Sequence, residues 1–71
     1  MKPTLEDLRL RSGLTAAELQ RQANISHSTW WLMKNNQPVS ATMVNRVLAV
    51  LNARLGTEYK LDDVDCLIVM R

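Results

Sequence analysis

Two junctions in the first half of the chain constrain its fold most strongly, because each pairs a helix-ending residue with a helix-starting one. Thr15 lies two residues after Gly13, and Ser26 lies two residues after Asn24. Glycine and asparagine adopt the left-handed backbone that ends a helix at low cost, and Thr or Ser caps the N–H groups of the next helix. The pattern therefore predicts short helices that succeed one another through tight turns.

The bounds of these helices follow from the same residues. Residues 4–7 (Thr-Leu-Glu-Asp) have the form of a capping box, and the first helix is expected to run to Ser12. Residues 15–18 (Thr-Ala-Ala-Glu) form a second capping box at the start of helix 2. Helix 3 is predicted over Ser26–Asn35, where Trp30 and Met33 lie three residues apart and can share its buried face.

The fourth helix has the clearest apolar pattern in the chain. It is expected to begin at Ser40 and to end at Gly56. Apolar residues recur at helical spacing along it: Val44, Val47, Leu48, Leu51 and Leu55. We therefore predict an all-α fold, a compact four- to five-helix bundle in which this helix is central.

The C-terminal residues leave two alternatives. A short fifth helix is expected around Leu61–Asp65, and Cys66–Met70 is apolar and β-prone. This short C-terminal strand could fold back as the last layer of the monomer's core, or it could pair with a two-fold mate. We favour a dimerisation strand in the tail at 66–71, because a lone strand has no evident partner within a helical chain.

Length and composition exclude several classes of protein. The 71 residues form a single domain at 1–71. One His and one Cys cannot assemble a familiar zinc site, and two separated glycines cannot form a phosphate-binding loop. Neither an enzyme nor a cofactor is expected. A net charge of +2 permits nucleic-acid binding without requiring it.

The sequence also bears on location. No stretch approaches the roughly 20 apolar residues of a membrane span. The lone Cys66 fits a reducing compartment better than a secreted one, so a cytoplasmic protein without membrane contact is expected.

The functional prediction depends on residues 15–36, which form a capped helix, a sharp turn and a second capped helix. Such a turn sets the helices at a steep angle and lets the second one project from the body. In DNA-binding versions the start of that second helix contacts base edges in the major groove. The N-termini at Thr15 and Ser26 would direct N–H groups toward phosphates.

Three segments of this region form a recognisable set. Residues 13–19 read Gly-Leu-Thr-Ala-Ala-Glu-Leu, residues 24–30 read Asn-Ile-Ser-His-Ser-Thr-Trp, and Asn36, Pro38 and Ser40 follow. Together they resemble the lambda-repressor-like (Cro/repressor, xenobiotic-response-element) family of helix-turn-helix domains. The match covers roughly residues 4–56. The resemblance implies a five-helix bundle that binds double-stranded operator DNA, commonly as a homodimer.

The same resemblance, with the helix ends and basic residues, supplies candidate contacts. Those expected to reach base edges are His27, Ser28, Trp31 and Leu32. Those expected to meet phosphates, through side chains or backbone N–H groups, are Thr15, Arg11, Arg21, Lys34, Asn35, Gln37 and Ser40.

Several positions depart from the family pattern. Ala16 stands where the family usually has a phosphate-binding Gln. Lys34 replaces a Glu that often pairs with an Arg of helix 1, so Arg9 is expected to face another cation. Asn36 replaces a glycine and can adopt the same left-handed backbone at modest cost.

Trp31 and Leu32 replace residues that are normally polar, which leaves three functions open. The first is a transcription regulator, in which Leu32 could pack on a thymine methyl. The second is the DNA-binding antitoxin of a toxin–antitoxin pair. The third is a protein-interaction module that keeps the fold without binding DNA, since exposed apolar pairs often mark protein interfaces.

Overall fold

Four α-helices make up most of the part of the chain that the computed structural model describes, residues 2–65 and 67–70. Two three-residue strands and one turn of 3₁₀ helix complete it. In chain order the elements are α1 (Leu5–Ser12), α2 (Ala16–Ala23), α3 (His27–Lys34), β1 (Pro38–Ser40), α4 (Ala41–Leu55), the 3₁₀ turn (Leu61–Asp63) and β2 (Ile68–Met70). The predicted helical bundle is confirmed.

Helix α1 begins and ends as its sequence predicts. The Thr4 hydroxyl accepts the Asp7 N–H at 3.1 Å, and the Asp7 carboxylate accepts the Thr4 N–H at 3.1 Å. Gly13 ends the helix with a φ of 77° and donates its N–H to the Leu10 carbonyl. Both halves of the capping box are therefore formed.

The second junction follows the same physics with one difference. The Thr15 hydroxyl accepts the Glu18 N–H at 3.1 Å, and Asn24 ends α2 with a φ of 57°. Within the described residues, the Glu18 carboxylate accepts no bond from the Thr15 N–H in return, so this capping box is half formed. Ser26 then caps α3 by accepting the Thr29 N–H at 3.1 Å.

The core forms around α4, which packs against α1, α2, β1 and the 3₁₀ turn. Its apolar stripe is buried as predicted at Val44, Val47, Leu48 and Leu51, and Leu55 is half-buried. Helix α3 contributes Trp30, whose exposed fraction is 0%, and the buried Met33. The predicted register of α3 is therefore confirmed.

Other apolar positions were not predicted. Val39 and Val64 are buried, although Val39 was assigned to no element and Val64 lies in the predicted short fifth helix. Leu10 is 63% exposed, because α1 directs Leu5 and Leu8 into the core and Leu10 lies on another face.

The C-terminal segment corrects two expectations. The predicted fifth helix is a single 3₁₀ turn at Leu61–Asp63. Strand β2 lies parallel to β1, with Pro38 opposite Ile68 and Val39 opposite Val69. The premise that a strand would find no partner inside the chain is therefore wrong. Cys66 and Arg71, at the ends of the predicted tail, lie outside the described residues.

Two sets of hydrogen bonds bring the chain back to β1. The Asn52 side chain accepts the Tyr59 N–H and donates to the Tyr59 carbonyl, both at 2.9 Å, which fixes the turn after α4. The Asp65 N–H then donates to the Pro3 carbonyl at 2.8 Å, tying the segment to the N-terminal residues. Within residues 2–65 and 67–70, no helix has the length and apolar character needed to cross a bilayer.

Replacing Trp30 with Ala should lower the free energy of unfolding by about 3–5 kcal/mol, because it leaves a large cavity. A domain of this size has a free energy of unfolding of about 4–10 kcal/mol, so the variant should lose a large part of it. Trp31→Ala is the matched control, since Trp31 is 49% exposed and should lose far less. Urea unfolding of both variants measures this, and equal losses would contradict the register of α3.

Candidate nucleic-acid interface

The turn between α2 and α3 is held by backbone and side-chain bonds. The Gln20 carbonyl accepts the Ile25 N–H at 3.0 Å, and the Arg21 carbonyl accepts the Asn24 N–H at 3.3 Å. Arg46 of α4 donates to the Asn24 carbonyl at 3.4 Å, and Ile25 packs against the core. The angle between the two helices is therefore held by hydrogen bonds within the turn and by contacts of the turn with α4 and the core.

Helix α3 has a buried side and an exposed side. Trp30 and Met33 are committed to the core, whereas His27, Ser28 and Trp31 are exposed. The exposed group includes the first two residues of the helix, His27 and Ser28. These are the side chains that a ligand lying along the start of α3 would meet first.

Leu32 differs from the expectation of an exposed apolar pair. It is half-buried and packs against the core, on a helix that also contacts β1. Trp31 alone remains a large exposed apolar side chain on α3. The base contact predicted for Leu32 would thus depend on the part of its side chain that stays accessible.

Three predicted phosphate-binding cations are available for a ligand. Arg11, Arg21 and Lys34 are exposed, and among the described residues they make no side-chain hydrogen bond or ion pair. Arg11 and Lys34 lie in the last turns of α1 and α3, and Arg21 lies in the last turn of α2.

Arg9 does not have the surroundings that the sequence suggested. Its guanidinium pairs with the Glu6 carboxylate one turn earlier on α1 and donates to the Leu14 carbonyl at 2.9 Å. Hydrogen bonding to Glu6 raises the pKa of Arg9 above its ordinary value, while partial burial opposes the shift. Arg9 is therefore paired with a carboxylate of its own helix, a partner that was not predicted.

Two more arginines have structural roles that sequence reasoning missed. Arg54 donates from Nε to the Ser12 carbonyl at 3.2 Å, at the C-terminal end of α1. Arg46 donates to the Asn24 carbonyl in the turn. The partners are 42 and 22 positions apart in sequence, so no local pattern could reveal them.

The N-termini of α2 and α4 differ in how their caps are used. The Thr15 oxygen accepts the Glu18 N–H, and its hydroxyl hydrogen is left to donate. Ser40 precedes α4 and makes no side-chain bond to the helix. Both residues could donate to a phosphate oxygen, as the sequence predicts.

Asn35 and Gln37 correct part of the phosphate prediction. Their backbone N–H groups donate internally, from Asn35 to the Trp31 carbonyl and from Gln37 to the Leu32 carbonyl, each at 3.0 Å. The Asn35 amide also donates to the Trp31 carbonyl at 2.8 Å. Only the side chains retain hydrogens for a phosphate. Asn36 adopts the expected left-handed backbone, with a φ of 56°.

One contact across the turn was not predicted. Nε2 of Gln20, on α2, lies 3.4 Å from Nδ1 of His27, the first residue of α3. Gln20 is half-buried, whereas His27 is exposed. Gln20 of α2 thus contacts His27, a side chain that is predicted to reach a base edge.

Comparison with known proteins adds no relative: no protein-family model, no curated protein and no solved structure matches this chain. The resemblance to the Cro/repressor family therefore stays a prediction from its motifs.

The distinction between arginines that bond the protein, such as Arg54, and exposed ones that do not, such as Arg21, can be tested by stability alone. Arg54→Ala should lower the free energy of unfolding by on the order of 1 kcal/mol, because the Ser12 carbonyl loses its donor. Arg21→Ala is the matched control and should change the stability by less than about 0.5 kcal/mol. Urea unfolding checks both. A loss for Arg21→Ala as large as for Arg54→Ala would contradict this distinction between the two arginines.

Proposed function

We propose that this protein is a cytoplasmic transcription regulator of Cro/repressor type that binds a specific double-stranded DNA sequence with α3 in the major groove. The observation that carries the proposal is the orientation of α3. Trp30 and Met33 hold one side in the core, and His27 and Ser28 occupy the exposed start of the helix. This matches the docking of helix-turn-helix domains, in which the N-terminal residues of the second helix meet base edges.

The distribution of charge supports the proposal. From residue 9 to residue 57 the chain has six Lys or Arg residues and one acid, Glu18. The other six acids lie at positions 6–7 and 58–65. Acids are thus nearly absent from the helices that would approach the duplex, which favours attraction to phosphate.

The exposed groups divide into two kinds of contact. Arg11, Arg21 and Lys34 are free to neutralise phosphates, which positions the protein without selecting a sequence. His27 and Ser28 carry donors and acceptors that can distinguish base edges in the major groove.

The proposal includes a homodimer that pairs through β2. The described sheet contains only β1 and β2, so β2 has a second edge without a strand partner in that sheet. Ile68 on this strand is 45% exposed. An unpaired edge with an apolar side chain favours pairing with a two-fold copy, which would present two α3 helices to a symmetric operator.

One observation favours a second candidate, a protein-interaction module. Trp31 is 49% exposed on the same side of α3 that would face DNA, and Ala16 offers no amide to a phosphate. Aromatic residues are enriched at the centres of protein interfaces. The alternative is decided by whether the protein selects a DNA sequence.

Selection from random duplex DNA, followed by binding measurements over a range of salt, tests the main proposal. The protein should enrich one motif, and Lys34→Ala should weaken all sequences similarly and reduce the slope of log K against log salt by about 0.9. Ser28→Ala should instead relax the preference at particular base pairs, by about 1–3 kcal/mol for a good contact. Enrichment of no motif would overturn the proposal in favour of the interaction module.

Sedimentation tests the dimer. The parent should associate at about 10 μM protein, a concentration suited to micromolar affinity. Ile68→Lys should give a folded monomer, because it places a charge on the free edge of β2. Leu10→Lys is the control, since Leu10 is also an exposed apolar residue but lies on α1. A monomeric parent, or equal dissociation in both variants, would contradict pairing through β2.

A further inference from the structure

The contact between Gln20 and His27 has chemical consequences because the two ring nitrogens of a neutral histidine are not equivalent. One nitrogen carries the hydrogen and donates, and the other accepts. The nitrogen that faces Gln20 is Nδ1, and the Gln20 atom that faces it is the amide nitrogen, 3.4 Å away. An amide NH₂ group only donates, so this contact favours the form in which Nδ1 accepts and the ring hydrogen lies on Nε2.

Gln20 is held where it can impose this arrangement. Its carbonyl accepts the Ile25 N–H at 3.0 Å, so its backbone is part of the turn that sets α3 against α2. Its side chain is half-buried, whereas the His27 ring is exposed at the first position of α3. Gln20 therefore contacts the ring at Nδ1 from a backbone held in the turn, and among the described contacts Nε2 is left for a ligand.

We propose that Gln20 is a positioning residue that biases His27 toward the Nε2–H tautomer, so that His27 donates to an acceptor on a base edge. This inference rests on the proposed function for the identity of the ligand. In the major groove the acceptors are guanine O6 and N7, adenine N7 and thymine O4, whereas cytosine offers only its amino donor. His27 should therefore disfavour cytosine at the position that it contacts.

The strength of the bias follows from the distance. At 3.4 Å the bond is longer than the usual N–H hydrogen-bond range, so it shifts a population rather than locking one form. A net worth within the range for neutral hydrogen bonds corresponds to a shift of about two- to tenfold in the tautomer ratio.

The tautomer can be measured in the free protein, without DNA. Long-range ¹H–¹⁵N NMR of the His27 ring, recorded in alkaline buffer where imidazole is neutral, distinguishes the two nitrogens. The parent should show the Nε2–H form in excess. Gln20→Met keeps the length of the side chain and good helix propensity, and it should reduce the ratio about two- to tenfold.

Two further variants make the measurement specific. Gln22→Met is the matched control, because Gln22 is an exposed residue of the same helix, and its hydrogen bonding with His27 is absent from the described contacts. It should leave the ratio unchanged. Gln20→Glu replaces the donor with a carboxylate that only accepts, so it should shift the hydrogen toward Nδ1.

The same proteins are then used to select from random duplex DNA. The parent should exclude cytosine at one position of its motif. Gln20→Met should admit cytosine there about two- to tenfold more often, with the salt dependence unchanged, and Gln22→Met should behave as the parent.

The outcomes separate the inference from the function on which it rests. An equal tautomer ratio in the parent and in Gln20→Met, or a parent that carries its hydrogen on Nδ1, would overturn the inference even if DNA is bound specifically. A shifted ratio in a protein that selects no motif would support the positioning of the ring and overturn its use on a base, together with the proposed function.

Discussion

The burial of Trp30 is the contact on which the orientation of α3, and hence any function of its outer side, depends. The indole is fully covered, and within the described residues its Nε1–H has no acceptor. Leaving such a group without a partner costs about 1–3 kcal/mol. Burying the roughly 150–250 Å² of a large aromatic side chain at about 25 cal/mol per Å² gains about 4–6 kcal/mol. Packing outweighs the lost hydrogen bond, and α3 is fixed with one side inward.

Three arginines stabilise places where the backbone would otherwise leave carbonyl groups without partners. Arg9 donates to the Leu14 carbonyl between α1 and α2, Arg46 to the Asn24 carbonyl between α2 and α3, and Arg54 to the Ser12 carbonyl at the end of α1. Cations at helix C-termini also interact favourably with the helix dipole. Much of the basic charge thus holds the short helices together, and the remaining exposed cations are the ones available to a nucleic acid.

The sequence predicts what local chemistry determines. Gly13, Asn24 and Asn36 adopt left-handed backbone, and Thr4, Thr15 and Ser26 cap their helices, because each effect needs only a few neighbouring residues. Pairing of β1 with β2 joins residues 30 positions apart, and neither this pairing nor the burial of Val39 is shown by periodicity. The bonds from the Asn35 and Gln37 N–H groups to carbonyls of α3 were also not predicted, since they depend on the backbone geometry with which α3 ends. Local patterns therefore located the candidate interface, and contacts distant in sequence determined which of its groups are free.

The three helix N-termini near the candidate interface show how folding limits what is left for a ligand. At α3 the Ser26 oxygen accepts the Thr29 N–H at 3.1 Å and also shares a hydrogen bond of 2.9 Å with the Thr29 hydroxyl, so it is engaged twice within the helix. At α2 the Thr15 oxygen is used as an acceptor, while its hydrogen stays available. At α4 the Ser40 hydroxyl makes no cap bond, although this helix, at 15 residues, is the longest of those described. In the proposed complex, a phosphate would therefore meet a less engaged cap hydroxyl at the start of α2 or α4 than at the start of α3.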